Sequence, residues 1–347
     1  MKALLLSSYR HLEIADTPRP APGPDEVLVR VAACGICGSD VHGYDGSSGR
    51  RIPPIVMGHE GAGTVDAMGA GVRNVSAGDR VTFDSTISCG ACDYCVRGEI
   101  NLCDNRRVLG VSCADYRCSG AFAEYVVVPQ HTVHRLPESL SFSEAAMLEA
   151  VSVALHAVSL SKIALGQTAL VLGAGMIGLL TLQALRLAGC SNVFVADLDA
   201  SRLKLATGLG ASVALCATHA ELISQILDLT HGRGVDVALE AVGINETVRT
   251  AIDCVRKGGA VTLIGNIEPE VNLPLQKVVT RQIRLQGSCA SAGEFPKAIE
   301  LVGSGRIQVK PLITAVAPLE EGPRWFERLY SREPNLMKVV LTPGAPE

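Results

Sequence analysis

Apolar positions follow two different rhythms along this chain. Over roughly the first 150 residues they alternate in short runs punctuated by Pro and Gly, as in KALLLSSYRHLEIADTP and PRPAPGPDEV. No long helical pattern appears there before SFSEAAMLEAVSVALHAV. Period-two runs of this kind predict half-buried strands, so this part reads as an all-β module that opens on a hairpin. From Thr168 the rhythm changes to apolar strands alternating with helical segments: TALVLGAGMIGLLTLQALRLAG, NVFVADLD, ASRLKLATGLG, ASVALCA and HAELISQILDLTHG. VDVALEAVG, NETVRTAIDCVRKGG (a helix stopped by its glycines), AVTLIG and IRLQGS continue it. That order predicts an α/β unit, a six-stranded doubly wound parallel sheet. The tail after about residue 290 has helical patterns in GEFPKAIELVGSG and EEGPRWFERLYS and a strand in KVVLT, and is expected to rejoin the β module. The expected domains are therefore 1–151 with 290–347, and 152–289.

The stretch from Ile163 to Leu185 carries no charge and is long enough to span a bilayer. It contains LVLGAGMIG, so a buried strand and helix are expected instead. MKALLLSS is too short an apolar run for a secretory leader. Thirty-one Lys+Arg against 35 Asp+Glu leave no basic excess to draw nucleic acid or anionic lipid. No nucleic-acid or membrane partner is expected. Twelve cysteines without a leader suggest a reducing, cytoplasmic setting, where thiols are free, catalytic or on metal.

Gly173, Gly175 and Gly178 form a G-x-G-x-x-G at a strand-to-helix junction. The first allows a tight turn, the second lets a pyrophosphate approach the backbone, and the third lets helix pack on strand. Asp197 ends the next strand nineteen residues after Gly178, the position of a carboxylate for the ribose 2′-OH. That acid favours NAD over NADP, with Arg202 as a mild counter-signal. Ligands bind at the carboxyl ends of such strands, so Val242–Gly243, Ile264–Gly265 and Gly287–Ser288 should line the nicotinamide side.

Cys89, Cys92, Cys95 and Cys103 are spaced C-x2-C-x2-C-x7-C. A bacterial iron–sulfur run would close with C-x3-C-P, and here the last gap is too long and Asp104 stands in the Pro position. A tetrahedral four-thiolate zinc fits the loop and leaves no open coordination position. Four free surface thiols rank well below it. A second group lies in VAACGICGSDVHGY and IPPIVMGHEGAGTV. Cys37, His59 and Glu60 supply three ligands and leave a place for water or substrate. Cys34 reads as a small core residue. Asp40 is placed to accept the other ring N–H of His59, and Ser39 and His42 to pass a proton to solvent.

These motifs carry a likeness. CGICGSD with His42, GHEGAG, the four-cysteine lobe, LEAVSVALHA and GAGMIG with ADLD agree in order and spacing over essentially the full length. The chain resembles the zinc-dependent medium-chain dehydrogenases of the polyol (sorbitol) and threonine dehydrogenase branch. The resemblance implies a GroES-like β domain, a Rossmann domain and two zinc ions per chain, one catalytic and one structural. It implies Cys37 and His59 as zinc ligands, and Glu60 as a ligand or exchangeable carboxylate. Glu149 becomes a carboxylate near zinc or its water, Ser39 the hydroxyl that takes the substrate proton, and Ile177, Asp197 and Arg202 cofactor contacts. It further implies a homotetramer or dimer that reversibly oxidises a secondary alcohol of a polyol, sugar or sugar derivative. The chain departs from polyol dehydrogenases at Ala150, where they usually have Pro, and at Cys289–Ala290, where they have an Arg–Tyr pair. The Trp-rich stretch of threonine dehydrogenases is replaced by GYDGSSG. Rival readings are a threonine or general alcohol dehydrogenase, a zinc-free quinone reductase, and a non-catalytic zinc-binding protein.

Overall fold

The computed structural model describes residues 1–344 and separates into two compact units. Unit 1 holds residues 1–149 and the chain from 295 onward, and unit 2 holds 150–294. The sequence pattern places the joins slightly differently, at 151/152 and 289/290. Glu294 accounts for the second shift: it accepts from the backbone N–H of Ala292 and lies 2.8 Å from His156 Nδ1, which ties it to unit 2.

Unit 1 is built on a seven-stranded sheet. Its order runs Val133–Arg135, Arg80–Phe83, Glu60–Met68, Glu26–Gly35, Lys338–Thr342, Ile313–Pro318, with Tyr125–Pro129 also paired to Glu26–Gly35. A three-stranded sheet of His11–Asp16, Lys2–Ser8 and Ile55–Val56 lies in the same unit. Glu26–Gly35 is buried along nearly its whole length rather than at alternate positions. One set of its residues joins the main core with Leu4, Phe83 and Phe122. On the other side Ala33 packs with Ala146, Val340 and Phe142. The tail belongs to this unit, and its strand Lys338–Thr342 is buried at every position. Helix Gly322–Tyr330 docks Phe326 against Phe122 and Tyr44, each with ring centroids 5.8 Å apart.

Unit 2 is a six-stranded parallel sheet in the order Val213–Leu215, Asn192–Ala196, Thr168–Leu172, Val235–Glu240, Val255–Leu263, Arg284–Gly287. That is the doubly wound order, with the switch point between Thr168–Leu172 and Val235–Glu240. The uncharged 163–185 stretch resolves into strand Thr168–Leu172 and the start of helix Met176–Leu187. Phe142–Leu160 is also long and apolar enough to pass for a span, but 61% of its window is buried inside the protein.

Some elements differ from the sequence pattern. Helix Asn245–Cys254 ends before its glycines, and Val255 begins the next strand. The register jumps from Val235↔Val255 to Val237↔Ala260, so Arg256–Gly259 bulge out within the strand. Gly258, at φ +70°, supplies the left-handed turn, and Arg256 is held by Asp236 at 2.6 Å. Two short helices, Gly38–Tyr44 and Leu275–Thr280, have no apolar periodicity long enough to announce them.

Phe326 is fully buried, and replacing it with Ala opens a cavity between the terminal helix and the sheet. Phe326→Ala should cost about 3–5 kcal/mol of unit 1 stability in denaturant unfolding. A loss under about 1 kcal/mol would mean that the helix is not anchored there.

Candidate metal centres

The four cysteines lie on a loop stiffened by two single turns. Cys92 caps helix Asp93–Val96, and Cys103 follows the turn Ile100–Leu102. Their sulfurs all fall within 4.8 Å of one another. Cys92 and Cys95 Sγ are 3.5 Å apart, and Cys89 and Cys95 Sγ 4.0 Å. These gaps are far beyond a disulfide bond of about 2.0 Å. They bracket the roughly 3.8 Å edge of a tetrahedron with metal–sulfur bonds of about 2.3 Å. Backbone N–H groups of Cys89 and Cys92 donate to Cys103 Sγ at 3.2 Å and to Cys89 Sγ at 3.4 Å. N–H donors from Ala91 and Cys92 lower the Cys89 thiol to about 6, whereas desolvation and the neighbouring thiols raise Cys95 to about 11. A dication would remove that mismatch by ionising all four, so the donor set fits zinc.

The second group is assembled by sheet pairing. Gly35 pairs with Glu60 across strands Glu26–Gly35 and Glu60–Met68. A Cβ on Gly35 would collide with the Glu60 carboxylate, so glycine there makes its room. Cys37 then caps helix Gly38–Tyr44, and Gly58, at φ +95°, turns the chain into His59. The donor atoms of Cys37, His59 and Glu60 all lie within 4.8 Å of one another. His59 and Glu60 are buried, Cys37 is half-buried, and Ser39 and His42 are exposed, so the group is open on one side. Cys34 is fully buried in the core beneath.

Two ion pairs underlie these donors. His59 Nδ1 lies 3.3 Å from Asp40 Oδ1, which leaves Nε2 on the side of Ser39 Oγ at 3.4 Å. Asp40 in turn accepts from Arg51 Nη2 at 2.9 Å, and both residues are buried. Gly43 leaves space for Arg51, whose Cγ a Cβ there would strike. Glu60 accepts from Lys338 Nζ at 2.8 and 2.5 Å, and Lys338 also donates to the Ile36 carbonyl at 3.1 Å. Burial opposes charge on Asp40, yet the cations of His59 and Arg51 hold it far below the usual carboxylate range. Burial likewise opposes charge on His59 and Lys338. Asp40 and Cys37 nevertheless raise His59 well above the imidazole range, and Glu60 and Cys37 raise Lys338. Glu149, half-buried, falls outside the three-donor group, and burial pushes its carboxyl up to about 7. A soft thiolate, an imidazole whose Nδ1 faces the Asp40 carboxylate and a carboxylate form a donor set that fits zinc.

Nothing in the sequence pattern points to Arg51, which sits in the polar run GSSGRR. Lys338 leaves one signal, a lone cation at the head of the otherwise apolar KVVLT.

In unit 2, Gly173 adopts φ +93°, and a Cβ on Gly178 would collide with the Gly173 carbonyl. Nothing lies within 4 Å of a Cβ on Gly175, which leaves open space at the turn. Asp197 accepts from the backbone N–H of Ala174 at 2.6 Å and of Asp199 at 2.9 Å. Its carboxylate is thus pinned to the glycine turn. Arg202 is 3.6 Å from Asp199 and half-exposed. Ile177, Ile264 and Gly265 are half-buried around the same sheet edge.

Residues 23–138 match the model of the alcohol dehydrogenase GroES-like domain, and residues 177–304 match that of zinc-binding dehydrogenases. The chain is 34% identical to sorbitol dehydrogenase of Bacillus subtilis over 348 aligned positions, covering 99% of this chain and 98% of the relative. It belongs to the zinc-dependent medium-chain alcohol dehydrogenases, on their polyol dehydrogenase branch. This dehydrogenase also resembles solved structures over their whole length. A zinc-binding dehydrogenase from Sinorhizobium meliloti 1021, bound to NADP, matches with a TM-score of 0.89 and 33% identity, covering 99% of each chain. An alcohol dehydrogenase from E. coli CFT073, complexed with NADH, matches with a TM-score of 0.91 and 30% identity, also covering 99% of each chain.

Two consequences of this geometry can be measured on the dehydrogenase. Arg51→Met strips the guanidinium from a buried carboxylate that orients His59. Zinc affinity at the three-donor group should fall about 10–100-fold in chelator competition, and an unchanged affinity would mean that Asp40 orients His59 unaided. Burial holds the Glu149 carboxyl at about 7 in the fold, against 4.5 for a free glutamate. Its neutral form therefore favours the metal-free fold below 4.5, and that contribution disappears as pH rises through 7. With zinc removed, Glu149→Gln should be more stable than the parent at alkaline pH by roughly 2–3 kcal/mol. The gap should close in acid, and parallel pH profiles in urea unfolding would contradict it.

Proposed function

We propose that this dehydrogenase reversibly oxidises a secondary hydroxyl of a polyol, sugar or sugar derivative, with hydride passing to NAD. The observation that carries the reading is the open-sided group of Cys37, His59 and Glu60 in a chain that also holds a glycine turn with a pinned acid. Bound zinc supplies Lewis acidity toward the substrate hydroxyl, and bound NAD supplies the hydride acceptor. Ser39, 3.4 Å from His59 Nε2 and exposed, accepts the hydroxyl proton. His42 follows three residues later on the same helix, exposed, and hands that proton to solvent.

Charge balance bears on the two carboxylates. Asp40 cancels Arg51, and Glu60 cancels Lys338. A dication is then matched by the Cys37 thiolate and an ionised Glu149. We therefore assign Glu60 to hold the metal as a carboxylate shared with Lys338, and Glu149 to complete the charge beside it. The closed four-cysteine lobe holds the second zinc and has a structural role only.

Asp197, a carboxylate at the end of the second strand fixed by the Ala174 and Asp199 N–H groups, supports NAD over NADP, because an acid at that position repels a 2′-phosphate. Ala150 and Cys289–Ala290 replace the residues usual in polyol dehydrogenases, so the substrate grip is this chain's own. Strand Arg284–Gly287 is an open edge, and Val271, Leu273, Leu275 and Val279 are exposed just before it. These support a homo-oligomer, tetramer or dimer. Twelve cysteines with no disulfide among the described residues support a cytoplasmic location.

A panel of polyols, sugars, sugar phosphates, threonine and simple alcohols, each with NAD and with NADP, tests the reading. Turnover should be highest on a polyol or sugar substrate with NAD. Preference for threonine or a primary alcohol would overturn the substrate class, and preference for NADP would overturn the role given to Asp197.

A further inference from the structure

Glu240 closes the strand Val235–Glu240 and is completely buried. Its Oε1 accepts from the backbone N–H of Val242 at 2.8 Å and of Gly243 at 2.8 Å. Its Oε2 accepts from Gly243 at 3.0 Å. These side-chain partners are all donors, so the group sits there as an acceptor-only carboxylate. Among the described residues it has no ion-pair partner, and burying such a charge is costly. Its own carbonyl accepts from Ile264 N at 2.8 Å and Gly265 N at 3.1 Å. One residue therefore holds the loops that follow two adjacent strands.

The two loops touch backbone to backbone. Gly243 has φ +86°, and a Cβ on it would collide with Asn266 N. A Cβ on Gly265 would collide with the Val242 carbonyl carbon. Val242 in turn abuts the glycine turn, since its Cγ2 would stand 2.6 Å from a Cβ on Gly173. The pair of loops thus forms a platform beside the phosphate turn, at the carboxyl ends of the strands, where ligands of doubly wound sheets lie. A hydrogen bond to a charged acceptor is roughly twice as strong as a neutral one, which suits a loop that must not move.

We propose that Glu240 is a positioning residue for the nicotinamide half of the dinucleotide, acting through loops 242–243 and 264–265. The proposal rests on the dinucleotide reading of unit 2. Gln has the same shape as Glu and can keep the two bonds to Oε1, but its NH2 then replaces Oε2, the second acceptor of the Gly243 N–H, with a donor, and the formal charge is gone. The loop is then held less tightly while the strand stays paired.

The test is calorimetric titration of the full-length dehydrogenase with NADH and with ADP, for the parent chain, Glu240→Gln and Gly265→Ala. ADP needs only the glycine turn and Asp197, whereas NADH also needs the platform. Both variants should weaken NADH about tenfold or more and leave ADP within about twofold. NADH affinity equal to the parent in Glu240→Gln, or equal weakening of NADH and ADP, would overturn the proposal. If Glu240→Gln does not fold, Glu240→Asp decides: it keeps an acceptor carboxylate but draws it back from the Val242 and Gly243 N–H groups, so NADH should weaken while ADP does not, and NADH affinity equal to the parent would overturn the proposal. A parent chain that binds neither NADH nor ADP would instead sink the dinucleotide reading.

Discussion

Lys338 and Glu60 meet across 278 positions of sequence, at 2.5 Å, with neither side chain more than 3% exposed. Breaking a buried pair of this kind typically costs about 3–5 kcal/mol, because the remaining charge is stranded. The pair makes the last strand part of the metal site, although that strand contributes no candidate ligand. Its apolar positions Val339, Val340 and Leu341 drive it into the sheet, and its one cation then lands on the carboxylate. The Asp40–Arg51 pair does the same on the other side of His59. The three donors are thereby held on rigid elements by groups whose own positions are fixed.

The two candidate metal sites differ in a way that decides their roles. Cys89, Cys92, Cys95 and Cys103 provide four like donors from one short loop and close around an ion. Cys37, His59 and Glu60 provide three unlike donors from a helix start, a loop and the head of a strand, with exposed Ser39 and His42 beside them. Only the second has an open side, and it is the one proposed to admit a substrate. Its carboxylate is shared with a lysine, and burial pushes the carboxyl of Glu149, which lies outside the three donors, up to about 7. Local charge can therefore adjust to the metal without a large movement.

Much of this could be read along the chain, and the exceptions have a common cause. The four-cysteine spacing, the glycine turn with Asp197 and the alternation of strands and helices are local patterns, and the sheet order and metal groups follow them. Cys37, His59 and Glu60 could be named from their own neighbours because each has a glycine directly beside it. Arg51 and Lys338 could not, since their importance arises only when distant strands pair. The helix expected to run on to Gly258–Gly259 ends at Cys254 because Asp236 captures Arg256 and the glycines serve a bulge instead. Helix Gly38–Tyr44 is too short for periodicity, although Cys37 and Asp40 have the spacing of a capping box.

If one metal group is open and chemical while the other is closed and structural, the two should be separable by substitution. Zinc content of the purified full-length dehydrogenase, measured beside Cys37→Ser and Cys103→Ser, decides this. The parent chain should hold zinc at both groups, matching the two donor sets. Cys37→Ser should lose one of the two, keep its fold and have no turnover. Cys103→Ser should lose the other ion together with the order of residues 88–104. A Cys37→Ser protein that keeps both zinc ions and its activity would contradict the account.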